Sequence, residues 1–222
     1  MRCDRFFPPP PGPSQHPQDP EQGSGNRASG LVGWKTWPHT DRVSVQRLRP
    51  GMKRDMPLPT IRTLMLRELR ALRREIEAYP DDASIWTVPS GVANSGGTLA
   101  LHIAGNLQHF VGATLGDTGY VRDRAAEFEG RALGRDRILE EIEFASLAID
   151  ATLTHFDPGR LDEPYPVEVG GSSIPTRDFL MHLASHLAYH LGQVDYHRRI
   201  MTGDGRTMGT QSVPELRSPK GS

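Results

Sequence analysis

The sequence predicts an all-α fold, a four-helix bundle with long connecting loops, and three features of the 222-residue chain point to it. Four stretches carry apolar residues at spacings of three and four with polar residues between them. The nineteen prolines and twenty-three glycines collect mainly outside those stretches. The connections between the four are each roughly fifteen to twenty residues, longer than the tight turns of a simple up-and-down bundle, and imply crossovers or loops that shape a pocket mouth.

Residues 1 to about 55 hold Pro8 to Pro11, Pro13, Pro17, Pro20 and a Gly/Ser stretch from Gly23 to Gly30, with no sustained periodicity. Such a segment does not repay its ordering entropy, so 1–55 is expected to be a disordered tail. Its Trp34 and Trp37 are read as scattered aromatics rather than a docking motif. Met52 and Met56 are alternative starts, so the tail is also readable as untranslated upstream sequence. The domain proper spans 56–202, and the polar, Gly- and Pro-bearing residues 203–222 are expected to form a flexible C-terminal tail.

Within the domain, Ile61, Leu64, Met65, Leu69, Leu72 and Ile76 recur at helical spacing and stop near Tyr79-Pro80. A turn-rich segment with Trp86 and Gly91 to Gly97 follows. Thr98 to Leu115 reads as a second helix through Leu101, Leu107, Phe110 and Val111. A third runs from about Arg135 to Phe156 on Ile138, Ile142, Ala145, Ile149 and Leu153, closed by the breaker run Asp157-Pro158-Gly159. Val167 to Gly171 is a short hairpin or a loop. The fourth helix opens at Pro175 or Thr176, where proline is tolerated in a first turn, and runs to about Met201.

Composition excludes several function classes. Cys3 is the sole cysteine and lies in the tail, which removes thiol nucleophiles, cysteine-based zinc sites and disulfides. A formal charge of −1 gives no electrostatic reason to expect nucleic acid or an anionic membrane as partner. No apolar run approaches the roughly 20 residues that span a bilayer. The partner is expected to be a small-molecule substrate or another subunit, and the location cytoplasmic.

The histidines carry the chemistry. Of nine, four lie on the last helix at 182, 186, 190 and 197, within one arc. His186 and His190 are one turn apart, so both imidazoles can reach a common point beside the helix. His182 continues the same ladder and can take the place of His190. His102 and His109 share a face of the second helix, and packing the two helices together brings the histidine faces into one interior. Buried neutral imidazoles each need partners on both nitrogens, and a cation satisfies one side of three together. His197 is read as a helix-end residue favoured by the dipole, and His109 and His155 as core or surface residues. Gln193, a turn after His190, is placed to orient a ligand. HExxH and Glu-x-x-His pairs do not occur, which removes zincin and ferritin-like di-iron architectures. A bis-histidine haem bundle fits two facing histidines as well.

The segments Leu99-Ala100-Leu101-His102-Ile103-Ala104 and His182-Leu183-Ala184-Ser185-His186-Leu187-Ala188-Tyr189-His190-Leu191-Gly192-Gln193 resemble the DinB-like superfamily of small metal-binding proteins, whose last helix carries H-x-x-x-H-x-x-x-H-x-G-Q. Arg122-Asp123-Arg124-Ala125-Ala126-Glu127-Phe128 resembles a stretch that follows the second helix in some branches. The resemblance covers about Pro57 to Met201. It implies a four-helix bundle, commonly a homodimer, with His102, His186 and His190 as ligands of zinc or nickel. Relatives include thiol S-transferases using low-molecular-weight thiols, isomerases and hydrolases. For a transferase, a thiol reaching an open coordination position would lose its proton near neutral pH and attack an electrophile. Tyr120 to Phe128 would then shape the pocket, with Arg122 or Arg124 available for a substrate carboxylate. The alternative is a non-catalytic metal-binding or stress-associated protein in which the ion closes the bundle.

Overall fold

The computed structural model describes residues 58–129 and 133–216; the expectations for residues 1–55 lie outside them. Helix α1, Leu58–Glu77, buries Ile61, Met65, Leu69, Leu72 and Ile76 along one stripe, as their spacing requires. Each such side chain contributes about 1.5–3 kcal/mol when fully buried. Tyr79-Pro80 stops the helix, and Asp81 opens the short α2, Asp82–Trp86, by accepting a hydrogen bond from Ser84 N at 2.8 Å.

Helix α3, Gly96–Leu107, starts where Ser95 Oγ accepts from Thr98 N, and all twelve of its residues are buried. Its first two glycines are required by close approach. A Cβ at Gly96 would sit 2.3 Å from the Tyr79 hydroxyl, and one at Gly97 would sit 2.7 Å from the Trp86 ring. The continuous second helix expected to Leu115 is instead interrupted. Gln108–Ala113 widen into a π-helical turn before α4, Thr114–Gly116, which ends on Asp117 at φ 50°. The segment expected as a loop around Tyr120 to Phe128 contains α5, Arg124–Glu129, where Asp123 Oδ1 accepts from Ala126 N.

Helix α6, Arg135–His155, buries Ile138, Ile142, Ala145, Ile149 and Leu153. The connection to α7 holds a 3₁₀ turn, Pro158–Asp162, and two isolated antiparallel bridges, Pro164 with Pro175 and Val169 with Ser172, across a turn at Gly170-Gly171. Helix α7, Thr176–Thr202, closes on Gly203 in the left-handed region at φ 68°.

The described residues form an all-α structure in which α1 and α3 each pack against both α6 and α7. The core therefore lies between the four long helices. None of them is long and apolar enough to cross a membrane.

Residues 203–216, expected to be part of a flexible tail, are held to the helices through their backbone. Arg74 Nε donates to the Met208 carbonyl at 2.6 Å, Arg67 to that of Ser212, and Arg198 to those of Asp204 and Arg206. Arg198 is 1% exposed and also donates to Glu75 at 2.8 Å and Asp195 at 3.2 Å. Burial raises the Glu75 carboxyl, and the Arg198 guanidinium only partly offsets that.

Candidate metal centre

Helices α3 and α7 bring His102, His186 and His190 together so that one nitrogen of each lies within 4.8 Å of the others, close enough to hold a metal ion. The ring of His102 sits 5.3 Å from that of His186 and 5.2 Å from that of His190. The Nε2 atoms of His186 and His190 are 3.0 Å apart. His102 is buried, and the other two are half-buried.

Two of the imidazoles have their far nitrogens occupied. His102 Nδ1 lies 3.0 Å from Glu127 Oε2, and His190 Nδ1 lies 2.6 Å from Gln193 Oε1. Both partners are acceptors, so each Nδ1 carries the proton and each Nε2 is left with its lone pair toward the cluster. This arrangement fixes tautomer and ring orientation in metal-binding histidines.

Glu127 is itself held. Arg122 Nε donates to Oε1 at 2.5 Å and Nη2 to Oε2 at 2.8 Å, a bidentate grip. Burial pushes the Glu127 carboxyl up, but the hydrogen bonds from Arg122 and His102 outweigh it and leave the group below its ordinary value. Arg122 Nη2 also comes within 3.3 Å of His102 Nδ1, but both are donors once Nδ1 bonds to the carboxylate, so that contact is not a hydrogen bond. Gly105 makes room for the carboxylate, since a Cβ there would stand 2.3 Å from Glu127 Oε1.

The electrostatics disfavour the charged form of His186 and His190. Burial, and then the imidazoles of His190, His102 and His182, push His186 down to about 3. Burial also lowers His190, against the hydrogen bond to Gln193. Neutral imidazole is the ligating form, and burial favours it at these two residues. Three nitrogen donors of borderline softness suit zinc, nickel or iron alike.

The other site residues read from the sequence fall as follows. His182 is exposed and stacks between Phe179 at 5.8 Å and His186 at 6.0 Å, outside the converging group. Arg122, expected to be available for a substrate carboxylate, is committed to Glu127. Arg124 is exposed and lies over the Phe128 ring, which itself stands 5.4 Å from His102. His197 is not a helix-end residue interacting with the dipole. It is 2% exposed, donates from Nε2 to the Thr87 carbonyl at 2.8 Å and accepts from the Tyr79 hydroxyl at 2.7 Å. His109 is half-buried against Phe110, and His155 is exposed.

Glu127 had no role in the sequence reading. The signal that could have found it is chemical: a ligating histidine needs an acceptor for its second nitrogen, and Glu127 lies in a segment already singled out. Two cavities border the outer acceptors Glu127 and Gln193. One of about 300 Å³ is bordered by Gly105, Tyr120, Glu127 and Arg137, and one of about 350 Å³ by Asn94, Leu99, Gln193 and Tyr196.

Fold and cluster together define an all-α protein with a three-histidine candidate metal site. Comparison with family models, curated proteins and solved structures finds no match to this chain.

Proposed function

We infer that the chain is a divalent-metal-binding protein of the DinB-like kind, a four-helix bundle acting as a metal-dependent enzyme on a small molecule. A thiol S-transferase is the reaction class that fits best. One observation carries this reading. Three imidazoles converge from two helices, two of them already oriented by outer acceptors, and no fourth His, Cys, Asp or Glu joins them among the described residues.

A three-donor set leaves coordination positions free, as catalytic sites do. His102, His186 and His190 would hold the ion, zinc or nickel, which supplies Lewis acidity to a thiol or water brought beside it. The chain's own contribution is orientation. Glu127 and Gln193 fix two ring planes, and Arg122 holds Glu127 ionised. Phe128 covers His102 on one side, and exposed Arg124 above that ring is free to meet a carboxylate of the thiol or substrate.

Elemental analysis of the gently purified protein, followed by titration with small thiols, tests this. Stoichiometric zinc or nickel whose coordination changes on adding thiol supports the transferase. A saturated ion that ignores thiols favours the non-catalytic alternative, and absence of any transition metal removes both.

A further inference from the structure

Arg122 serves Glu127 along one edge of its guanidinium only. Nε and Nη2 donate to the two carboxylate oxygens at 2.5 and 2.8 Å, and Nη1 makes no hydrogen bond among the described residues. The side chain is 9% exposed, yet Nη1 is not an enclosed atom, as the unpartnered Nε atoms of Arg62 and Arg135 are. A guanidinium carries five N–H groups in a flat fork, so the edge formed by Nη1 and the second proton of Nη2 can grip another carboxylate. The cation is sunk in the protein with donors still open to solvent.

Its surroundings favour an anion on that edge. Nη2 stands 3.3 Å from His102 Nδ1, which places the open edge one guanidinium width from a member of the histidine cluster. The flat face lies over the Phe110 ring, 5.8 Å from its centroid, so the in-plane edge is the way to bind. Phe110 belongs to the π-helical turn Gln108–Ala113, and turns of this kind recur at functional sites. Side-chain hydroxyls hold it in place. Tyr165 donates to the Phe110 carbonyl at 2.6 Å and Thr114 to the His109 carbonyl at 3.0 Å. Three imidazoles also bring no negative charge to a divalent ion, so an anionic group on a ligand is drawn to the same place.

We propose that the open edge of Arg122 is an anion subsite beside the histidine cluster, binding the carboxylate of the small molecule that the centre acts on. Arg122 then has two duties, one edge on Glu127 and the other on that carboxylate. The subsite stands on the geometry of Arg122, and its link to a thiol rests on the metal-dependent transferase reading.

The test sets mercapto acids of increasing chain length against the mercapto alcohols of the same length, bound to the zinc-loaded full chain and to its Arg122→Gln and Arg124→Gln variants. At the length that spans the ion and Arg122, the acid should bind about 10-fold more tightly than the alcohol, the scale of one charged hydrogen bond. Arg122→Gln should abolish that preference and Arg124→Gln keep it. Glu127 loses its partner in the first variant, but that disturbs acid and alcohol alike, so the ratio reads the subsite alone. If Arg122→Gln does not fold, Arg122→Lys carries the comparison, since one ammonium cannot present two edges.

A second arm needs no metal. Burial, and after it the Arg122 charge, hold His109 below its ordinary value. Acetate, against chloride at equal ionic strength, should raise the His109 midpoint in the metal-free chain, and Arg122→Gln should remove that effect. Acid and alcohol bound alike at every length, a preference that survives Arg122→Gln, or one that Arg124→Gln removes, overturns the subsite. A chain that takes up no zinc ends the transferase reading, and the acetate arm then decides the subsite by itself: an unmoved His109 overturns it.

Discussion

Glu127 does for His102 what no residue near it in sequence can do, which is to accept the Nδ1 proton from inside the fold while Arg122 keeps the carboxylate charged. Glu127→Gln keeps the shape but weakens the acceptor and leaves Arg122 unpaired, so zinc affinity should fall about 10-fold or more, read by chelator competition. Gly105→Ala should fall in the same direction without touching any polar group, because its methyl would occupy the space of Oε1. An unchanged affinity in both variants would show that Glu127 does not orient the ligand. The three histidines were legible in the sequence because two lie one helical turn apart and the third falls on a facing helix. Glu127 was not, because its approach depends on the turn at Asp123 and on a glycine three residues past His102.

At the scale of elements, α1, α6 and α7 were legible to within a few residues, since each carries an uninterrupted apolar period and ends on breaker residues. The π-helical turn at Gln108–Ala113 was not, since a switch in backbone hydrogen bonding leaves no mark on the apolar pattern. Short α5 has too few residues to show a period. His197 ties α7 to the segment after α1 through Tyr79 and Thr87, and burial lowers its protonation below the ordinary 6.5. A histidine lowered in the folded state stabilises fully above about 6.5, and that stability is lost as pH falls from there toward the folded value. The melting temperature of metal-free protein should therefore drop between pH 7.5 and 5.5. His197→Gln, whose amide can both accept from Tyr79 and donate to Thr87 without titrating, should flatten that drop. Equal slopes for the two proteins would contradict the buried neutral imidazole. Buried Glu75, shifted upward, pulls the opposite way just above its ordinary 4.5, so the difference between the proteins is the quantity to read.

Across the whole molecule, residues 203–216 belong to the folded unit because α1 and α7 arginines reach their carbonyl groups. This was not legible in the sequence, since a segment recognised by its backbone needs no pattern of its own. Arg198→Met leaves Glu75 buried without its cation, while Asp195 keeps Arg199, and should cost about 3–5 kcal/mol in urea unfolding. A loss below about 1 kcal/mol would show the network to be expendable. A bound ion stabilises the same fold. At a hundredfold excess over its dissociation constant zinc should add about 2.7 kcal/mol, visible as a rise in melting temperature. The most direct measurement is metal stoichiometry in the wild type and in the single variants His102→Ala, His186→Ala and His190→Ala. One ion per chain in the wild type, lost or sharply weakened in each variant, is expected; full metal content in His102→Ala would contradict a centre shared between α3 and α7.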